Sequence, residues 1–282
     1  MALRSRGRQR AEKKEEVRPP CVAGLFYPEQ ERSLAEWVDR LLAHAPRKEP
    51  AVALIVPHGP YRDSGPVAGA VYAQVKWPPT AVMVGPNHAG MGKPFAVMTA
   101  GRWETPVGAL EVDEPLAKRI VKAAPPLAKD AKPHREEHSI EVQLPFLKRL
   151  KGCRKFVPVA VESDDTEALS QAGEGIAKAM QKHSEETILI GTANLSRYEP
   201  AESVKAQDRL VLDSILAFRE QELLERVRAN RISMCGVGAV AVVLAAARRL
   251  GATRARLVRY EVGSEEGNEH GSAVGYAGVI LQ

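Results

Sequence analysis

The sequence predicts an α/β fold: a single-domain α/β sandwich whose central, largely parallel or mixed sheet is flanked by helices. Three observations carry this expectation. Continuous apolar runs rich in Val and Ile recur along the chain, as in strands buried on both faces. Stretches with helical character separate them, and repeated βα units build parallel sheets. No internal repeat and no long linker interrupts the alternation across the 282 residues, a length able to bury one large core.

The elements follow in order. AVALIVP (51–57) reads as the first buried strand, closed by Pro57. Residues 66–76, PVAGAVYAQVK, open with Pro at a first-turn position and read as a helix. TAVMVGP (80–86) is a second buried strand, and 95–112 read as short strands joined by turns around GRWETPVG. A helix over 113–124 starts from Asp113, and the polar loop AKDAKPHREEH follows. In SIEVQLPFLKRL (139–150) Ser139 is the expected N-cap, Val142, Phe146 and Leu150 share one helical face, and Pro145 should kink the helix. KFVPVAV (155–161) is a strand, 166–183 a helix, and TILIGTANL (187–195) a strand running into a polar loop. Residues 201–228 give one long or two short helices, and CGVGAVAVVLAAARRLG (235–251) gives a nearly all-apolar helix stopped by Gly251. Strands at 254–262 and 272–281 complete the pattern.

Composition narrows the class. A hydrophobic content of 44% with 27% charged residues is that of a soluble globular protein. The apolar runs are all shorter than the ~18 residues of a membrane span, and the charged N-terminus does not read as a secretory signal. No membrane partner is expected. Cys21, Cys153 and Cys235 are odd in number and lack CxxC spacing, which favours a reducing, cytoplasmic setting over a disulfide framework. Of the net charge of +5, residues 1–18 supply +4, from seven basic side chains against three Glu. This segment is expected to be a basic, solvated tail, with nucleic acid a partner only through it. Residues 19–282 are then a nearly neutral globular body.

Ligands of open α/β sheets bind beyond the carboxyl ends of the strands. His58 follows the first buried strand by one Pro, and His88 follows the second after Gly85-Pro86-Asn87. Asn194 stands at the end of TILIGTA. Three strands thus bring polar groups to one rim. Cys235 opens the apolar helix before Gly-Val-Gly, where the helix dipole stabilises a thiolate and small residues allow close approach. Imidazoles and a thiolate bind transition metals and serve in nucleophilic catalysis. The plain alternatives are two loop histidines bonded to backbone and an inert core thiol.

His138, in the charged loop beside Glu136, Glu137 and Glu141, is a candidate acid/base or a supporting side chain. Glu141 and Gln143 read as support. Tyr61, Asp63 and Ser64 shape the rim or a turn, and Phe26, Tyr27 and Pro28 are core or pocket wall. His44, His134, His183 and His270 have no motif context and default to the surface.

The segments CVAGLFYP, PHGPYRDSG, GPNHAG, ETPVG, EEHSIEVQLPFL and CGVGA together resemble the Memo family, whose fold is related to class III extradiol dioxygenases. The resemblance runs from about Cys21 to Gln282. It implies an α/β fold and a pocket formed by His58, His88 and Cys235. In the family that pocket can hold a reduced transition metal, iron(II) or copper(I). Family members usually carry Ser-Ser-Asp-Leu-Ser-His-Tyr where this chain reads Thr192-Ala193-Asn194-Leu195-Ser196-Arg197-Tyr198. An Asn amide is a poor ligand and Arg stays protonated, so a carboxylate and an imidazole are missing from the rim.

Two classes of function follow. One is a metal-binding protein, redox-active or dioxygenase-like, with His58, His88 and Cys235 as ligands. Its enzymatic variant uses Cys235 as nucleophile and a His such as His138 as base. The other is a non-catalytic module whose pocket takes a small molecule, peptide or anion. Residues Asn194 and Arg197 favour binding over turnover.

Overall fold

The buried Val and Ile runs become the strands of one mixed sheet. The structure, a computed structural model, describes residues 16–43, 47–264 and 272–282. The first half contains β1 (Val17–Arg18), α1 (Glu31–Leu42), β2 (Ala53–Val56), α2 (Gly65–Ala73) and β3 (Thr80–Pro86). Three short strands follow, β4 (Phe95–Val97), β5 (Arg102–Trp103) and β6 (Leu110–Val112), then α3 (Glu114–Ala123) and β7 (Ala128–Lys129). Next come α4 (His138–Glu141), α5 (Leu144–Arg149), β8 (Lys155–Val161), α6 (Thr166–Gln181) and β9 (Thr187–Thr192). The chain ends with β10 (Arg197–Pro200), α7 (Ala201–Leu216), α8 (Glu220–Ala229), α9 (Val237–Arg249), β11 (Ala255–Ser264) and β12 (Ser272–Leu281).

The centre of the sheet is parallel, in the order β6-β8-β3-β9-β2. Antiparallel β12 closes it beside β2 and carries β11 and β10. Strands β2, β3, β8 and β9 are apolar on both faces because helices cover both: α9 lies on β3 and β9, while α2 packs on β2 and β12. Against α9 pack α6 and α8; against α2 packs α1. The register puts Val56 opposite Thr192 and Pro86 opposite Val161, so the carboxyl ends of the central strands form one level rim.

Several local expectations change. Residues 139–150 do not form one helix kinked at Pro145. The helix breaks at Val142–Gln143, and Pro145 sits in the first turn of α5, where its missing N–H costs nothing. Ser139 is not the cap: Glu137 is, its side chain accepting from the Ser139 N–H at 2.8 Å. Residues 201–228 are two helices, divided at Ala217–Arg219. The sequence reading placed nothing at α1, an amphipathic helix whose Leu34 and Val38 are fully buried.

Three charged or titratable residues move inward. His134 is fully buried, not at the surface, with its ring edge-on to Trp103 at 5.8 Å. The His183 side chain is 6% exposed. Arg18, counted with the tail, belongs to the body: β1 pairs with β5, and the Arg18 guanidinium is buried on Glu141 at 2.6 Å. Residues 1–15 of the expected tail lie outside the described residues, as do His44 and His270. Among the described residues no helix is long and apolar enough to cross a membrane.

Candidate metal centre

The ends of β2 and β3 aim His58 and His88 at the same point, and Cys235 meets them from the start of α9. His58 Nε2 lies 3.3 Å from Cys235 Sγ, and His88 Nε2 lies 2.6 Å from it. The first turn of α4 adds His138, stacked on His88 at 4.5 Å with the rings 16° apart. His58, His88 and His138 each offer a nitrogen within 4.8 Å of the others. Four donors that are far apart in sequence therefore meet at one spot. His58 is buried, Cys235 half-buried, and the His88 side chain 29% exposed.

Each donor has its own support. Asn194 accepts from the His58 N–H through Oδ1 at 3.0 Å, and its carbonyl accepts from the Cys235 N–H at 3.1 Å. One residue thus fastens two donors. The sequence reading treated Asn194 as a lost ligand; its side-chain oxygen is instead a backbone clamp. Gln143 adds a second hold through Nε2, which donates to the Pro57 carbonyl at 2.9 Å. Glu137 fixes His88 twice, accepting from its N–H at 2.7 Å and from Nδ1 at 2.9 Å. That carboxylate engages Nδ1 and turns Nε2 toward Cys235, the arrangement commonly found behind a metal-bound imidazole. Arg18 in turn donates to the Glu137 carbonyl at 2.8 Å.

The backbone permits this only with glycine at two points. Gly236 caps α9 with φ +84°, and a Cβ there would lie 2.6 Å from the Thr192 carbonyl. A Cβ on Gly85 would meet Ser139 Oγ at 2.5 Å, so Gly85 lets α4 press against β3 and bring His138 onto His88. Gly236→Ala is expected to cost more than about 1 kcal/mol in urea unfolding, because Ala is strained at positive φ. An unchanged midpoint would show that the cap relaxes freely.

Electrostatics divide the histidines. Burial, then the neighbouring His138 and His88, hold the His58 pKa well below 6.5, so its ring is neutral. Burial likewise lowers His138 to about 4. Burial also disfavours a charged His88, but hydrogen bonds to Cys235 and Glu137 outweigh it and raise His88 to about 10. Glu137 answers with a value of about 2, since His88 overrides the penalty of burying the carboxylate.

The cleft above the donors holds about 400 Å³. Phe26, Asp63, Arg197, Val274 and Tyr276 line it together with His58, His88 and His138. Phe26 stands edge-on to His138 at 5.0 Å and forms wall, whereas Tyr27 is core, its hydroxyl donating to Glu141 at 2.7 Å. Tyr61 is also buried, donating to the Val142 carbonyl at 2.6 Å, and Ser64 closes the turn on Gly59. Arg197 sits at the mouth, its guanidinium 4.3 Å over the ring of Tyr198. The sequence reading missed Glu137, Val274 and Tyr276. Glu137 stood next to His138, but Glu is not among the favoured cap residues, and Ser139 drew the assignment. Val274 and Tyr276 lie in an apolar strand that carries no motif.

The family model described as "Memo-like protein" matches residues 18–280. The chain belongs to the Memo family. A MEMO1 family protein of Methanopyrus kandleri is 34% identical over 279 residues, covering 94% of this chain and 99% of its own. One from Methanococcus maripaludis is 35% identical over 283 residues, with 94% and 99% covered. One from Aquifex aeolicus is 34% identical over 267 residues, again with 94% and 99% covered. For this Memo-family chain the match starts at Arg18, the first buried residue among the described ones.

Proposed function

We propose that this protein binds a reduced transition metal, iron(II) or copper(I), through His58, His88 and Cys235. The ion would face a small anionic or peptide ligand in the cleft. The observation that carries this reading is the convergence of two imidazole Nε2 atoms on one sulfur, at 3.3 and 2.6 Å. Borderline nitrogen and soft sulfur donors suit such ions better than oxygen-seeking magnesium or calcium. The neutral His58 ring needs no proton removed before it can ligate. An ion held there would supply Lewis-acid or one-electron chemistry.

The chain's own side chains would do the rest. Glu137 holds the tautomer and direction of His88. His138, neutral and beside the donors, is placed to accept or return a proton of a bound ligand, or to serve as a further donor. Arg197 draws anions to the mouth, and Phe26 and Tyr276 limit the entry of water.

Titration of the protein with ferrous iron and cuprous copper under anaerobic conditions tests the reading. About one equivalent should bind, and Glu137→Gln should weaken binding by roughly tenfold. No uptake of either ion would reject it.

One observation favours the second class, a non-catalytic binding module. A permanent cation, Arg197, stands at the cleft in a position usually held by His in the family. That reading predicts anion binding that weakens in Arg197→Ala and is indifferent to metal. The enzymatic variant with Cys235 as nucleophile and an imidazole as base predicts stoichiometric alkylation of Cys235 that His88→Ala slows.

A further inference from the structure

At the opposite end of the sheet, Asp113, His183 and Glu185 bring three ligating atoms within 4.8 Å of one another. We propose that they form a second, independent metal site, selective for a borderline divalent cation such as zinc. The three come from two segments that the fold clamps together. Asp113 follows β6 and caps α3; His183 and Glu185 lie in the turn between α6 and β9. The site sits beside the amino ends of β8 and β9, far from the rim that carries His58 and His88: the Asp113 N–H donates to the Phe156 carbonyl at 2.8 Å.

Three details point to a cation. The two carboxylate oxygens of Asp113 have different tasks. Oδ1 accepts from the Leu116 N–H at 2.9 Å as a helix cap, while Oδ2 faces His183 Nε2 at 3.4 Å. That nitrogen is fully enclosed, its side chain 6% exposed, and among the described residues it makes no hydrogen bond of good geometry. An enclosed ring nitrogen without a partner costs free energy unless something else satisfies it. Finally, the separation is what a shared ion requires. Two donors about 2.1 Å from one centre at a tetrahedral angle lie ~3.4 Å apart. Glu185, exposed on the same turn, supplies the third ligand, and water would complete the shell.

The frame is organised in advance. Arg119 on α3 donates to the Lys182 carbonyl, next to His183, and so holds the turn against the helix. One imidazole with two carboxylates suits zinc, whereas magnesium and calcium take all-oxygen sites. Because this site has no thiolate and shares no ligand with the Cys235 pocket, it stands whether or not that pocket binds metal.

The test uses the full chain carrying His58→Ala and Cys235→Ser, which silence the first pocket. Titrated with zinc, this variant should still bind about one equivalent. With cobalt(II) it should develop visible absorption without the near-ultraviolet band of a cobalt–thiolate bond. Adding His183→Gln should remove both signals. Glu185→Gln alters only an exposed side chain, leaves the fold intact, and should weaken zinc binding by roughly a hundredfold, the share of one ligand in four. The same Glu185→Gln change in the natural chain should weaken one class of bound zinc by the same factor and leave the Cys235 pocket unaffected. If the silenced variant takes up no zinc, or if its zinc survives both His183→Gln and Glu185→Gln at equal affinity, the proposal is overturned. Asp113 and His183 would then be an ion pair bracing the turn.

Discussion

Glu141→Ala is expected to destabilise the fold by about 3–5 kcal/mol, the cost of leaving a buried charge without its partner. Glu141 is fully buried and accepts at 2.6 Å from Arg18, itself 5% exposed. It also accepts from the Cys21 and Val22 N–H groups and from the Tyr27 hydroxyl, at 2.7–3.0 Å. Removal leaves the buried Arg18 guanidinium without its counter-charge, and two part-buried backbone donors and the Tyr27 phenol without their acceptor. Denaturant unfolding of the variant measures the loss. A change below about 1 kcal/mol would mean that water enters and solvates Arg18.

The same carboxylate sets a pH dependence. Burial alone would raise its pKa, but Arg18, then the bonds from Cys21 and Tyr27, outweigh burial and hold it below the ordinary value of 4.5. A depressed carboxylate stabilises the fold above the unfolded pKa, and that stability is lost as pH falls through the folded value. Stability should therefore decline as pH drops from about 5, and Glu141→Ala should flatten the decline. An identical acid profile in both proteins would assign the effect to other carboxylates.

Cys235→Ser is expected to weaken ferrous or cuprous binding by roughly a hundredfold. Apparent free energies of about 10–16 kcal/mol shared by four ligands place about 3 kcal/mol on each. A serine hydroxyl is almost the same shape, but it stays protonated and is a hard donor. Because Gly236 and Asn194 fix the backbone of Cys235, the substitution should change the donor and not the fold. Anaerobic calorimetry gives the affinity. The proton held on His88, with its pKa near 10, competes with the ion, so affinity should rise with pH up to that range. Equal affinity in the natural chain and in the Cys235→Ser variant would mean that the three imidazoles hold the ion without the sulfur.

The sequence revealed what depends on periodicity. The strands at 53–56, 80–86, 155–161 and 187–192 were legible because burial on both faces demands unbroken apolar runs. His58 and His88 were legible because strand ends are where such sheets place ligands. What remained hidden depends on tertiary contact. Arg18 lies in a run of basic residues, and only its pairing with Glu141, 123 positions away, makes it interior. His134 has no apolar pattern around it and is buried because Trp103 and the Arg18 contact enclose it. Glu137 was visible as a charge, but its double hold on His88 requires α4 to lie against β3.

The two moorings of the pocket have a further consequence. His58 and Cys235 share one anchor, Asn194, and Gln143 holds the Pro57 carbonyl beside His58 as well. His88 is tied separately to Glu137, and His138 follows that residue in the chain. The two donors of the Asn194 pair are thus coupled through one residue, and His88 is fixed through another. If the pocket holds an ion as proposed, a displacement of either mooring would change the fit of the donors while every donor keeps its identity.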